Sequence, residues 1–304
     1  MEVKTFGRVH KKEGGSRRAS FYFVPLQPQQ KTTRKMKERG IALMVCAAAI
    51  AFLSGCGSKS KSTLTTNNMR FDSLVVDTVV PLSATASAPR ATLRLNIHYA
   101  VGERADVVNR ALLQAGIITL YKPVEADTDI RQMVTAFTKQ FVADYQADYG
   151  KIYCEEGGGE LLNVEYTVDT KVEELREGCI AYVVSAYYFA LGAHGIDQTL
   201  VKNIDLNTGR ILALRDIFTP GYEKSLNELI VKKLAERFKV KDLAGLKALF
   251  VFADGDVYAP DNFVLGSDDI TFIYGEDEIA PHAEGEIRIS IDYDELKQIL
   301  KKDF

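Results

Sequence analysis

The chain has 304 residues, and its 38 Lys and Arg against 41 Asp and Glu give a formal net charge of −3. The charge is uneven: the first 55 residues hold 11 basic and 3 acidic ones, which leaves 27 and 38 for the remainder, a formal net of −11. This acidic remainder lacks the basic footprint that nucleic-acid binding needs, so we expect no nucleic-acid partner. It suits a cationic partner, although solubility alone is the commoner reason for such a charge.

Residues 36–56 have the three-part layout of a secretory signal. Lys37 and Arg39 precede a 13-residue apolar run, Ile41–Leu53, and small residues then lead to Cys56. The ending Leu-Ser-Gly-Cys resembles a bacterial lipobox, which implies that the Cys56 sulfur is diacylated and that Cys56 becomes the first residue of the mature protein. A membrane-spanning helix needs about 20 apolar residues, so the run is too short to be one.

This layout predicts a division of the chain into five segments. We expect Met36 to be the true start, because a signal peptide stands at an N-terminus and the preceding basic stretch has no apolar periodicity. The Ser, Thr, Lys and Asn residues after Cys56 predict a flexible tether. The predicted segments are 1–35, a non-native or disordered extension; 36–55, the signal peptide; 56–68, the tether; 69–155, a small N-terminal α/β domain; and 156–304, a C-terminal domain.

The first part of the folded region predicts two strands followed by two helices. Apolar and polar residues alternate along Leu74–Val80 and Thr92–Ala100, as in half-buried strands. A helix is expected near Asp106–Leu120. The next helix has the clearest pattern, an apolar stripe at spacings of three and four behind three cap candidates. The stripe consists of Ile130, Val134, Phe137, Phe141 and Tyr145, and the cap candidates are Asp127, Thr128 and Asp129.

A hairpin is predicted next, and it bears on the cysteines. Its strands are Leu162–Asp169 and Ile180–Leu191, joined through Glu173–Gly178. Cys179 lies beside the turn, whereas Cys154 lies beyond the far end of a strand that rises about 3.3 Å per residue. A disulfide needs Cα atoms within about 7 Å, so we expect two unpaired thiols.

The remaining pattern completes an α+β fold class, with antiparallel sheets packed with helices rather than a doubly wound parallel sheet. Two strands flank a tight turn at Asn207-Thr208-Gly209. The predicted elements are strands Thr199–Leu206 and Arg210–Leu214, a helix over Tyr222–Phe238, strands Asn262–Leu265, Ile270–Tyr274 and Glu286–Ile291, and a closing helix over Asp294–Leu300.

Several runs in this half are similar to one known family. They are YFALGAHG at 188–195, NIDLNTGRILALRDIF at 203–218, NFVL at 262–265, ITFIY at 270–274, EIAPHAEG at 278–285 and IDYDEL at 291–296. They resemble the C-terminal domain of RsiV-type extracytoplasmic sensors, which also accompanies the deacetylase of PdaC-type peptidoglycan enzymes. The resemblance covers about Leu161–Leu300. Residues 69–150 resemble, less specifically, the smaller PdaC-type domain before it. Leu191 and Asp277 depart from the family pattern, where a glycine and an aromatic residue are usual.

The resemblance implies a binding or sensing module. RsiV-like proteins bind lysozyme through this domain, and they hold a sigma factor through a cytoplasmic segment beyond a membrane span. Because no credible span is present, an RsiV-type anti-sigma sensor is only an alternative. Since no further catalytic domain follows before Phe304, we also expect the deacetylase half of the PdaC architecture to be missing.

Two histidines and three nearby carboxylates are the candidates for a catalytic role. These are His194, His282, Asp197, Asp205 and Glu284. No His-x-x-x-His or His-Glu-x-x-His spacing supports a zinc site, and no Gly-x-Ser-x-Gly elbow supports a nucleophile. A metal-assisted hydrolase of envelope glycans therefore stays an alternative, and we expect no catalytic residue, metal or cofactor.

The favoured site lies where Gly192-Ala193-His194-Gly195 follows an apolar strand. Small residues there should bring the backbone to the surface, although a strand-ending turn whose imidazole binds backbone is the simpler role for His194. The candidate binding residues are His194, Gly192, Gly195 and His282. We expect a non-catalytic, lipid-anchored protein of the bacterial cell envelope, facing the periplasm or exterior, that binds a lysozyme-like protein or cell-wall glycan.

Overall fold

The computed structural model describes residues 65–66, 69–116, 129–156, 159–176, 178–190 and 194–302. All of them belong to one compact unit, and they confirm the α+β class with two sheets packed with helices. The strands are β1 Thr65–Thr66, β2 Met69–Pro81, β3 Arg90–Val101, β4 Val164–Arg176, β5 Cys179–Ala190, β6 Ile196–Asp205, β7 Phe263–Leu265, β8 Asp269–Tyr274 and β9 Ile287–Asp292. The helices are α1 Ala105–Ala115, α2 Ile130–Glu156, α3 Leu214–Ile217, α4 Glu223–Phe238, α5 Leu243–Ala248 and α6 Tyr293–Leu296.

The larger sheet has six strands in the order β1 to β6, each beside its neighbours in sequence. All pairs are antiparallel except β3 and β4, which run parallel from Ala91↔Val164 to Asn96↔Asp169. A parallel pair needs a crossover connection, and α1 and α2 lie in it. The sheet therefore runs across the predicted boundary at 155/156, with strands on both sides of it.

Alternation along the strands buries one face of this sheet under α1 and α2. In β3, Leu93 and Ile97 are fully buried while Arg94 is exposed. In α2, the predicted stripe turns inward, with Ile130 and Tyr145 buried and Phe137 packed on the same core. The apolar side chains that recur with the helical period in α2 and with the strand period in β3 therefore pack together in one layer.

A second core lies between the three-stranded sheet, β7-β8-β9, and α4. Leu226, Ile230 and Leu234 are fully buried on one side of α4, at the spacing that the sequence predicts. Phe263 and Phe272 pair across β7 and β8 with ring centroids 6.3 Å apart.

Two asparagine side chains join the sheets where β6 meets β7. Asn262 accepts the Val201 N–H at 2.7 Å and donates to the Thr199 carbonyl at 2.7 Å. Asn203, buried in β6, donates to the Phe263 carbonyl at 2.9 Å and accepts from the Leu265 N–H at 3.2 Å. The carboxamides thereby satisfy backbone groups that two strand edges would otherwise leave unpaired.

Several predicted boundaries were wrong for local reasons. The first helix ends at Ala115, because Gly116 takes the left-handed conformation that terminates helices. The predicted strand 210–214 is reduced to a single bridge, Ile204↔Ile211. The closing helix stops at Leu296, and Leu300 instead forms an antiparallel bridge with Phe218. Helices α3 and α5 were not predicted.

Other predictions were confirmed. Asp129 caps α2 by accepting the Gln132 N–H at 2.8 Å, while the other two cap candidates lie outside the described residues. Cys154 is exposed, Cys179 is buried, and neither forms a disulfide. The signal peptide 36–55, Cys56 and Gly192 also lie outside the described residues. Within the part of the chain that is described, no helix is long and apolar enough to cross a membrane.

Candidate functional site

Two of the predicted binding residues meet at the surface. His194 precedes β6 in the larger sheet, and His282 lies in the connection between β8 and β9 of the smaller one. Their ring centroids are 4.3 Å apart with planes inclined by 35°. His194 is exposed and the His282 side chain is 37% exposed, so a partner can reach both rings. We call these two residues the histidine pair.

Gly195 is needed beside the histidine pair because the Tyr187 ring occupies the space where a side chain would begin. A Cβ atom at position 195 would lie 2.2 Å from Tyr187 Cε2, far inside van der Waals contact. Tyr187 pairs with Asp197 across β5 and β6, so its ring lies on the strand that leads into the loop. This close approach explains the glycine without invoking a ligand.

Two carboxylates border the histidine pair. His282 Nδ1 lies 3.3 Å from Asp277 Oδ2 and 3.8 Å from Glu276 Oε2. Glu276 Oε2 also accepts the Asp197 backbone N–H at 3.3 Å. This hydrogen bond joins the loop between β8 and β9 to the start of β6, next to His194.

The loop that carries His282 is held by a partly buried carboxylate, Glu278. Its Oε1 accepts the Tyr258 hydroxyl at 2.6 Å, and its Oε2 accepts the Gly275 N–H at 2.7 Å. Burial raises the pKa of Glu278, and the two donors oppose this shift only in part. The Tyr258 carbonyl in turn accepts the Tyr274 hydroxyl at 2.6 Å, so the brace reaches into β8.

The arrangement offers imidazole nitrogens and carboxylate oxygens on two segments that one hydrogen bond links. Such groups can bind a partner's hydrogen-bond donors and positive charges. In the described segments, no group of three or more His, Cys, Asp or Glu side chains is placed to hold a metal ion. The predictions of no catalytic residue and of a metal-assisted hydrolase both stay untested.

The other predicted candidates have separate positions. Asp205 lies at the opposite end of β6 and shapes its turn, accepting the Asn207 N–H at 2.8 Å and the Thr208 hydroxyl at 2.9 Å. Glu284 is exposed in the turn after His282. Sequence reasoning missed Glu276 and Tyr187 as neighbours of the histidine pair, since no local pattern reports a contact between separate sheets.

The fold and site define an α+β protein of two joined sheets with an exposed histidine pair at their junction. The segment 215–294 matches the family model described as "Protein of unknown function (DUF3298)". It contains His282, the carboxylates beside it and the Glu278 brace.

Two crystal structures of DUF3298 family proteins are similar to the chain. One, from Bacteroides fragilis, is 27% identical with a TM-score of 0.70 and covers 79% of this chain and 96% of its own. The other, from Pseudomonas aeruginosa, is 20% identical with a TM-score of 0.53 and covers 77% of this chain and 94% of its own, which supports the fold alone. No curated protein matches the chain in sequence.

Proposed function

We propose that the protein is a lipid-anchored component of the bacterial cell envelope that binds another macromolecule through the histidine pair and catalyses no reaction on it. The observation that carries this proposal is the meeting of His194 and His282, two exposed rings from separate sheets, 4.3 Å apart. Side chains that only stabilise a fold are usually buried, whereas exposed polar groups on braced loops are typical of recognition. The resemblance to RsiV-type sensors supports the same region.

A cationic protein such as lysozyme is the favoured partner, and cell-wall glycan is the second. Asp277 and Glu276 lie within 4 Å of the His282 ring, so the site is rich in acceptors for Lys and Arg side chains. The acidic balance of residues 56–304 would speed the approach of a basic protein at low salt.

The test is binding of the full chain to lysozyme and to purified peptidoglycan, by calorimetry and by co-sedimentation. His194→Ala and His282→Ala should each weaken binding at least about tenfold, or about 1.4 kcal/mol. His194→Ala should also keep its free energy of unfolding within about 1 kcal/mol of the wild type, as exposed positions do. Lys224→Ala, on α4 and 88% exposed, is the matched control. Absence of binding to both probes, or equal binding by all variants, would refute the proposal.

A further inference from the structure

Leu249 and Phe250 form an exposed apolar tip just after α5. They are 45% and 69% exposed, whereas the next two residues, Val251 and Phe252, are buried in the second core. Single exposed apolar residues are ordinary on protein surfaces. This pair differs because the chain also accepts an unfavourable backbone conformation to present it.

The helix before the tip ends in a Schellman motif with a phenylalanine at the glycine position. The Phe250 N–H donates to the Lys247 carbonyl at 3.0 Å, and the Val251 N–H donates to the Leu246 carbonyl at 3.0 Å. The backbone of Phe250 is in the left-handed conformation, with φ of 63°. Glycine is the usual residue there because a Cβ atom is strained in this region. Phe252, two residues later, is left-handed as well, with φ of 53°, but its ring is buried in the second core. The strain at Phe250 presents an exposed ring instead, which points to a role outside folding.

The preceding helix, α4, ends in the same way with a cation. The Lys239 N–H donates to the Glu236 carbonyl and the Val240 N–H to the Ala235 carbonyl, and φ at Lys239 is 55°. Val240 packs against α5, since a Cβ atom placed on Gly245 would lie 2.8 Å from the Cβ atom of Val240. Two adjoining helices thus end on a strained lysine and a strained phenylalanine.

The chain that leads to the tip is rich in exposed lysine although the folded region is acidic. Lys239, Lys241 and Lys247 are exposed, and none of them lies within 4.0 Å of a carboxylate among the residues described. Asp242 is engaged as the cap of α5, where it accepts the Gly245 N–H at 3.1 Å. The next carboxylate along the chain, Asp254, comes only after the buried Val251 and Phe252.

We propose that Leu249 and Phe250 insert into the interfacial layer of a membrane that contains anionic lipids, while Lys239, Lys241 and Lys247 contact the headgroup phosphates. Apolar side chains flanked by lysines are the combination that holds proteins at such a surface. Insertion also gives a reason for the ring at position 250, because a glycine there would relieve strain but remove the group that enters the lipid. The inference depends neither on the lipid anchor nor on the histidine pair.

Intrinsic fluorescence tests the insertion directly, because the chain contains no tryptophan. The full chain carrying Phe250→Trp is mixed with phosphatidylglycerol–phosphatidylcholine vesicles, with and without brominated acyl chains. Emission should shift to the blue and be quenched by bromine. Leu161→Trp, at a position 73% exposed in another part of the fold, is the control for general attachment of the chain and should be quenched little. Equal quenching of the two tryptophans, or none at position 250, would overturn the proposal and leave the tip to a protein partner.

A second variant separates insertion from folding. Phe250→Gly should raise the melting temperature, because glycine adopts the left-handed conformation freely. Co-sedimentation of the same variant with anionic vesicles should fall about tenfold in partition coefficient relative to the unaltered tip. Lys247→Glu should weaken co-sedimentation with anionic vesicles more than with pure phosphatidylcholine. Unchanged co-sedimentation of Phe250→Gly would contradict the insertion.

Discussion

At the scale of single residues, Glu278 connects the core to the candidate site. Its carboxylate is largely buried and holds Tyr258 on one oxygen and the Gly275 N–H on the other. Burial raises its pKa despite these donors, which means that the charged form is less stable here than in water. The loop that carries His282 is therefore held by a group whose charge depends on pH.

The pH dependence of stability should reveal this. A carboxyl whose pKa is higher in the folded than in the unfolded state binds its proton more tightly when folded, so stability increases as the pH falls through the raised pKa, and the full gain is reached below the unfolded value of about 4.3. Glu278→Gln removes that titration. The free energy of unfolding of the wild type should therefore improve relative to the variant between about pH 7 and about pH 4 in urea titrations.

Glu284→Gln is the control for this experiment, because it removes one carboxylate from the same loop at an exposed position. Its difference from the wild type should change less over the same range. Curves for wild type and Glu278→Gln that stay parallel at all pH values would contradict the raised pKa.

At the scale of elements, the junction of β6 and β7 depends on side chains instead of a backbone ladder. Asn203 and Asn262 each use both ends of one carboxamide on backbone groups of the other sheet's edge. Of the two, Asn203 is 1% exposed, so its partners have no access to water if the side chain is removed. The two sheets should therefore separate readily when this one residue is lost.

Asn203→Ala should lower the free energy of unfolding by about 2–4 kcal/mol, because it leaves the Phe263 carbonyl and the Leu265 N–H buried without partners. Asn262→Ala should cost less, since its bonds are only partly buried. Ser185→Ala, an exposed polar position on the neighbouring strand β5, should stay within about 0.5 kcal/mol. Urea denaturation measures all three, and equal stabilities of Asn203→Ala and Ser185→Ala would contradict the role of the junction.

Elements with strong local periodicity were predictable from the sequence, and contacts between distant elements were not. The α2 stripe and the alternation in β3 identify helix and strand because burial repeats with the period of each structure. The parallel pairing of β3 with β4 has no such signal, since it depends on which edges remain free after two helices have packed. For the same reason the sequence indicated His194 and His282 as separate candidates, while Glu276 and Tyr187 became neighbours only in the folded chain.

At the scale of the whole molecule, the proposed anchor would set where the domain works. If Cys56 carries the lipid, only residues 57–64 separate it from β1, so they would tether the histidine pair near a membrane. Flexible chains of this length span tens of ångströms, so the domain can meet a partner only close to that surface.

Cys56→Ser should block this attachment, because a hydroxyl cannot form the thioether that lipidation requires. We expect unprocessed precursor at the mass that includes residues 36–55, and release of the protein from detergent-extracted lipoprotein fractions. Cys154→Ser, which alters an exposed thiol in α2, should leave processing unchanged. An unaltered mature mass and membrane fraction for Cys56→Ser would refute lipidation.

The parallel pairing of β3 with β4 also affects folding during synthesis, because the two strands lie far apart in the chain. The β2–β3 hairpin can close within about 10 μs once it has emerged. The free edge of β3 stays unpaired until β4 has been synthesised. Ala91 pairs with Val164, which lies 73 residues further along the chain. At about 5–20 residues per second, that wait lasts about 4–15 s. During synthesis the hairpin thus exposes an unpaired edge for about a million times its own folding time, and the chain's risk of pairing with the wrong strand lies there rather than in the finished sheet.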